Sequence, residues 1–249
     1  HQPSPWVGDY GHMLFLPYSG ELCKEPHRRW SSYRPDRAAI EPNGLRAYLQ
    51  RYRVSVSLAP TVRGAAVTIE NHTEKPTGLA LIPYAESAFT LAGQALTGYT
   101  DAQSIWDFKG LREYFYVYFS EAPASVSEIE SGGVALSFAG KRVEVAIATS
   151  FISIEQAKRN YETELKGNPL ARIEENAKRE WEDLLSRIRV SDENPERKKT
   201  FYSCLYRTML YPRIFYEYDG AGKPVHYNAD TGKTEEGVFY TDNGFWDTY

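Results

Sequence analysis

The stretch Val143–Gly167, VEVAIATSFISIEQAKRNYETELKG, changes its hydrophobic period part-way along, and that change decides the fold. Over Val143–Thr149 the pattern is that of a β-strand. From Ser153 the period becomes about 3.6 residues, as in an α-helix. Ser153 opens the helix with Glu155 two residues on, and Gly167 stops it. Upstream of this point the chain reads as strands; downstream it reads as helices.

Moving upstream, period-two or wholly apolar runs recur at Val134–Phe138, Val126–Ile129, Tyr114–Phe119, Gly78–Ile82 and Ala65–Glu70. In Tyr114–Phe119, YFYVYF, both faces are apolar, which predicts a central strand. Residues 46–60, RAYLQRYRVSVSLAP, place Tyr48, Gln50, Tyr52, Val54, Val56 and Leu58 on one register, the pattern of a single half-buried strand. Residues 1–44 read as irregular, with Pro3, Pro5, Pro17, Gly8 and Gly11 in the first 17. Many short strands with turn signals between them predict a β-sandwich. Unpaired edges in such a set predict further strands before His1.

Moving downstream, Asn168-Pro169 and Asn194-Pro195 each pair an N-cap with a first-turn proline, predicting two more helices. The first carries Ile173, Ala177, Trp181, Leu184, Leu185 and Ile188 on one face, with pairs such as Glu174 and Lys178 on the other. The second runs to about Glu217 with Phe201, Leu205, Tyr206, Met209 and Leu210 as its stripe, Pro212 kinking or ending it near Tyr211. Cys204 reads as a small core residue within it. A hairpin-like loop rich in Gly, Asp and Thr follows Gly220. Segregated strands and helices give an α+β chain, read here as two-domain: residues 1–150, a helical linker over 151–194, and a second unit from 195 to 249.

Composition excludes several classes. Residues 1–150 carry 14 basic against 15 acidic side chains and residues 151–249 carry 15 against 18, so no nucleic-acid footprint is expected. No apolar run approaches the roughly 18 residues that span a bilayer. Cys23 and Cys204 form neither a disulfide framework nor a zinc site. Asn71-His72-Thr73 is a glycosylation acceptor by pattern, and equally a turn. No His-Glu-x-x-His, P-loop or Gly-rich nucleotide fingerprint is present. Carboxylates remain as the route to chemistry. Tyr240–Tyr249, YTDNGFWDTY, puts Asp247 between Trp246 and Tyr249, an aromatic wall beside an acceptor for sugar hydroxyls. Trp6, braced by Pro5, reads either as a plug at a sheet edge or as an aromatic platform.

Three stretches taken together, HQPSPWVGDYG (1–11), FYSCLYRTMLYPRIFYE (201–217) and YTDNGFWDTY (240–249), resemble glycoside hydrolase family 92, the calcium-dependent exo-acting α-mannosidases. The resemblance implies an antiparallel β-sandwich, a helical linker and the start of an (α/α)6 barrel. It implies hydrolysis of terminal α-mannosyl linkages, often α-1,2, with inversion, on a mannose-containing glycan. It matches Trp246 and Asp247 to the segment lining the terminal-mannose subsite and Trp6 to a sandwich loop that contacts the neighbouring sugar. No position matches the family's general acid, base or Ca2+ ligands, so none of the 249 residues is expected to be catalytic. It also implies a chain truncated at both ends, inactive alone, whose parent is periplasmic or extracellular. A non-catalytic carbohydrate-binding module and another helical-barrel enzyme acting on glycosides, such as a phosphorylase, remain open alternatives.

Overall fold

The computed structural model describes residues 12–101, 111–210 and 212–241. Strands come first: β1 (Met13–Ser19), β2 (Ala39–Glu41), β3 (Gly44–Leu49), β4 (Val54–Pro60), β5 (Gly64–Asn71), β6 (Thr77–Pro83), β7 (Ser87–Ala92), β8 (Ala95–Thr100), β9 (Glu113–Phe119), β10 (Ser125–Glu128), β11 (Val134–Phe138) and β12 (Arg142–Ser150). Helices α1 (Ile154–Glu164), α2 (Leu170–Leu185) and α3 (Pro195–Thr208) follow. Five short strands end the described chain: β13 (Arg213–Ile214), β14 (Glu217–Tyr218), β15 (Pro224–Asn228), β16 (Lys233–Glu236) and β17 (Tyr240–Thr241). The class is α+β, as expected.

Two antiparallel sheets face each other. One has the order β1-β6-β11-β10, the other β2-β3-β4-β5-β12-β9-β8-β7. Between them lie Leu79, Leu81 and Leu136 from the smaller sheet and Ile69, Phe115, Val117, Phe119 and Val143 from the larger, all at most 2% exposed. Rings cross the gap: Phe119 meets Phe138 at 5.2 Å and Phe15 meets Phe115 at 6.2 Å. Each such side chain contributes about 1.5–3 kcal/mol by leaving water. Strand β9 lies between β12 and β8, which fits its two apolar faces.

The outer face of the larger sheet is built for helices. Ala59, Ala66 and Ala146 stand opposite one another across β4, β5 and β12, and Gly64 stands opposite Ala148 one step along. Small side chains there make a shallow floor flanked by Tyr116 and Tyr118. Tyr161 of α1 lies 5.0 Å and 5.5 Å from those two rings, and Leu165 and Ile173 complete the layer. A Cβ on Gly64 would sit 2.3 Å from the Ile147 carbonyl and 3.1 Å from Leu165 Cδ1, so the floor admits no more bulk there.

Several expectations are corrected. Residues 46–60 form a hairpin of β3 and β4, not one strand; Arg53 adopts a left-handed φ of 51° in the turn, with no glycine or asparagine to announce it. The early region is not wholly irregular, since β1 and β2 lie in it. The strands β7 and β8, joined through Gly93 at φ 62°, were not anticipated. Ser153 caps α1 through Gln156 N–H at 3.1 Å, and Asn194 caps α3. Asn168 does not cap α2: its side-chain amide donates to the Glu164 carbonyl at 3.2 Å, and Pro169 takes the N-cap place. Glu174 reaches back to Arg46 on β3, while Lys178 pairs with Glu182. Helix α3 ends at Thr208, well short of Glu217, and Cys204 is exposed. Asn71 is only 7% exposed, and its amide donates to the Lys75 carbonyl at 2.7 Å, so the acceptor motif is a turn.

Ala148, on the floor beneath α1, is fully buried. Ala148→Leu is expected to lower the unfolding free energy by about 1–3 kcal/mol through overpacking, read as a reduced urea midpoint. An unchanged midpoint would show that the helix layer can lift away.

Candidate functional site

The residues Ser150-Phe151-Ile152-Ser153 carry the chain out of β12 and into α1. The Ser150 hydroxyl accepts from Ile152 N–H at 2.9 Å, which turns the chain sharply, and it donates to Glu217 Oε1 at 2.9 Å. Phe151 N–H donates to the same oxygen at 3.0 Å, and the Asn160 amide donates to Glu217 Oε2 at 2.6 Å. Asn160 is itself held by donating to the Thr149 carbonyl at 2.8 Å and accepting from Gln156 at 3.1 Å. Both carboxylate oxygens are thus occupied by donors from the end of β12 and from α1.

The neighbours of Glu217 are gripped as well. Arg63, in the β4–β5 turn, donates to the Tyr216 carbonyl at 2.6 Å and lies 5.6 Å from the Tyr218 ring centroid. Its other terminal nitrogen pairs with Glu164 of α1 at 3.1 Å. Gln156 donates to the Tyr218 carbonyl at 2.8 Å. Residues 216–218 are therefore fastened one by one to the sandwich and to α1.

From this clamp the structure runs toward the site predicted from sequence. Phe215 N–H donates to the Phe239 carbonyl at 3.0 Å, and β13 pairs with β17 through Ile214–Tyr240 and Arg213–Thr241. The Phe151, Phe215, Phe239 and His226 rings follow one another at 4.9, 5.7 and 4.8 Å. At the other end of this row, His12 meets Phe151 edge-on at 6.0 Å and bonds Glu113 at 3.0 Å. His12 is the first described residue after the segment with Trp6, and Thr241 the last before the segment with Trp246 and Asp247. Trp6, Trp246 and Asp247 themselves lie outside the described residues. The roots of the two segments that carry them are joined by the ring row.

Glu217 is 3% exposed, and burial pushes its carboxyl above the usual range despite the opposing pull of Asn160, Ser150, the Phe151 N–H and Arg63. With no oxygen open to a ligand, it is placed to hold structure, not to exchange protons with a sugar. Glu235, near the end of the described chain, has its carboxyl held low by the Asn228 and Thr231 side chains. Sequence reasoning missed Glu217, Ser150, Asn160 and Arg63. A legible signal existed: one acid embedded in the aromatic run IFYEY. Among the described residues no group of three or more His, Cys, Asp or Glu is placed to hold a metal ion.

The raised Glu217 pKa carries a sign. Between the unfolded and folded values the native state holds the extra proton, so stability from this carboxyl is greatest at low pH. It declines as pH rises through the raised value. In urea denaturation between about pH 4 and pH 8, the wild type is expected to lose stability relative to Glu217→Gln as pH rises. A difference that stays constant across that range would contradict the assignment.

Residues 156–249 match the family model described as the glycosyl hydrolase family 92 catalytic domain. The whole chain superposes on an inverting family 92 mannosidase of Bacteroides thetaiotaomicron with TM-score 0.90 and 30% identity, covering 36% of that enzyme. A family 92 α-mannosidase from the same bacterium, solved with mannoimidazole, matches 96% of this chain at TM-score 0.80 and 23% identity, over 36% of its own length. A further family 92 glycosyl hydrolase shares the fold at TM-score 0.78 and 15% identity, with 95% of this chain and 36% of that one aligned. No curated protein sequence matches. The chain spans about a third of the length of the mannosidases it resembles. From residue 156 onward the chain matches the glycosyl hydrolase family 92 catalytic domain, and from end to end it shares the fold of a family 92 mannosidase.

Proposed function

We propose that this chain serves in an inverting, calcium-dependent exo-α-mannosidase that removes terminal α-linked mannose, α-1,2 linkages among them, from glycans. The observation that carries the reading is the likeness to an inverting family 92 mannosidase over 100% of the chain at 30% identity. Inversion needs one carboxylic acid to protonate the leaving oxygen and one carboxylate to activate a water on the opposite face. The two stand roughly 6.5–9.5 Å apart to admit that water. Neither is assigned within these 249 residues. Calcium belongs to the same reading, with its ligands expected in later parts of the barrel, outside these 249 residues.

Within this reading Asp247 accepts hydrogen bonds from the hydroxyls of the terminal mannose, Trp246 forms the wall of that subsite, and Trp6 contacts the neighbouring sugar from the sandwich side. Sugar C–H faces stack on indole while a carboxylate takes the hydroxyls, the combination of apolar wall and few polar anchors that ligand sites use. Support comes from the described anchors: the ring row from His12 to Phe239 brings the roots of the two segments together. Secretion to the periplasm or exterior is proposed with the mannosidase role.

The 249 residues alone are expected to release no mannose from α-1,2-mannobiose. In the natural polypeptide, NMR of early product is expected to show the inverted, β-configured mannose, and a calcium chelator is expected to reduce turnover reversibly. Asp247→Ala is expected to lower kcat/KM at least ~100-fold, as loss of a positioning anchor does. Release of α-mannose first would overturn inversion, and absence of mannose release would overturn the reading as a whole.

A further inference from the structure

Trp30 is 71% exposed and Tyr33, three residues on, 46%. Single apolar residues on a surface are ordinary, but tryptophan is highly buried on average, and two large rings on one exposed segment mark a binding face. The segment is also held still. Arg29 is buried; its guanidinium pairs with Glu130 and donates to the Cys23 carbonyl at 2.7 Å. From the β3–β4 turn, the Tyr52 hydroxyl donates to the Arg29 carbonyl, and Gln50 N–H donates to the Ser32 carbonyl at 3.0 Å. Arg51 N–H donates to the Ser31 hydroxyl at 3.1 Å. The backbone is thus tied down on both sides of Trp30, so a ligand that meets the ring has little chain left to order.

The chemistry beside the rings is cationic. Residues 24–37 hold five Lys or Arg against two acids, and the turn at 50–53 adds Arg51 and Arg53, in a chain of net charge −4. Arg51 is the decisive member. Its Nη1 donates to the carbonyls of Arg28 and Trp30, the latter at 3.4 Å, which sets the guanidinium beside the tryptophan. Among the described residues its Nε and Nη2 meet no acceptor. Those two donors form the parallel fork that takes a carboxylate or phosphate bidentately. The Ser32 hydroxyl donates to Gln50 Oε1 at 3.2 Å, which leaves the Gln50 amide hydrogens for a ligand. We propose that Trp30, Arg51 and Gln50, with Tyr33 beside them, form a binding site for an acidic glycan. The indole stacks on a sugar ring, the Arg51 fork takes a phosphate or carboxylate substituent, and Gln50 donates to a hydroxyl. That a sugar carries the anion rests on the mannosidase reading above. Anionic lipid fits less well, because the rings rise among Ser31, Ser32 and Gln50 and not from a broad apolar face. The site lies at the Val54 end of β4, whereas Arg63, which grips Tyr216, follows the Pro60 end, roughly 20 Å away along a strand of seven residues. Substrates of one or two sugars are too short to touch both ends, so the site acts on polymers.

The test uses the natural polypeptide and its Trp30→Ala and Arg51→Ala variants. Dissociation constants are measured by calorimetry on phosphomannan, polygalacturonate, neutral mannan and vesicles of anionic phospholipid. The wild type is expected to bind an acidic glycan at least ~10-fold more tightly than neutral mannan, with the preference fading as salt is raised to about 0.5 M. The better of phosphomannan and polygalacturonate identifies phosphate or carboxylate as the anion taken. Trp30→Ala is expected to weaken acidic-glycan binding ~10-fold or more, as loss of a central aromatic anchor does, and Arg51→Ala to erase the preference for the acidic glycan. Both variants are expected to turn over α-1,2-mannobiose at the wild-type rate. The proposal is overturned by equal affinity for neutral and acidic glycans, by binding that Trp30→Ala leaves unmoved, or by tightest binding to the vesicles. It is overturned too if Trp30→Ala does not fold, since the ring is then covered in the natural polypeptide. A wild type that binds acidic glycan through Trp30 yet releases no mannose overturns the mannosidase reading and leaves this site standing.

Discussion

The meeting of sandwich, linker helix and C-terminal strands depends on one carboxylate. Glu217 is surrounded by donors that the local backbone supplies cheaply: a serine at the end of a strand, the next amide, and an asparagine one and a half turns into α1. The serine and the asparagine are each already oriented by a second bond, so little entropy is lost when the carboxylate arrives. A buried polar network of this kind is stable when complete and costly when any member is missing. It therefore works as an all-or-none latch, whereas packing alone would give a graded contact.

Aromatic residues extend that latch. Chain composition, with 19 tyrosines and 11 phenylalanines, is put to two uses. In the sandwich, phenylalanines fill most of the gap between the sheets, with no polar atom of their own to satisfy. At the junctions, tyrosines lie with one face covered and the hydroxyl end near water or a carbonyl. Tyr161 rests on Tyr116 and Tyr118, and Tyr18 covers Gly78 while donating to the Leu136 carbonyl at 3.1 Å. Tyr18, within the sandwich core, thus keeps a partner for its buried hydroxyl.

The period change at Ser150–Ser153 made the α+β order readable, because a 2-residue and a 3.6-residue repeat cannot be confused over ten positions. Strand cores such as Tyr114–Phe119 and Val143–Thr149 were readable for the same reason. The β3–β4 hairpin was not, because Arg53 takes a left-handed conformation that its side chain does not advertise. Asn168 misled because a good capping residue has two places to spend its amide, and the end of α1 was nearer than the start of α2. The proposed sugar contacts Trp6, Trp246 and Asp247 were drawn from local composition and resemblance, and they lie outside the described residues. Glu217 was lost because a helical stripe running through Leu210 carried the reading past Pro212. Its partners lie 57 to 67 positions away in sequence, a range over which periodicity says nothing.

That separation has a topological meaning. Ser150 and Glu217, 67 positions apart, close a non-covalent ring that contains α1, α2 and α3. The stretch Ser186–Asn194 between α2 and α3 is one part of the ring's circumference, and the Glu217 latch is another. The strands β14 to β17 are thus held to the sandwich by two independent routes, one covalent and one not. Cutting the backbone between α2 and α3 breaks the first route and leaves the second, so the molecule is wired as two interlocking pieces whose joint lies at Glu217 and not at the peptide linker.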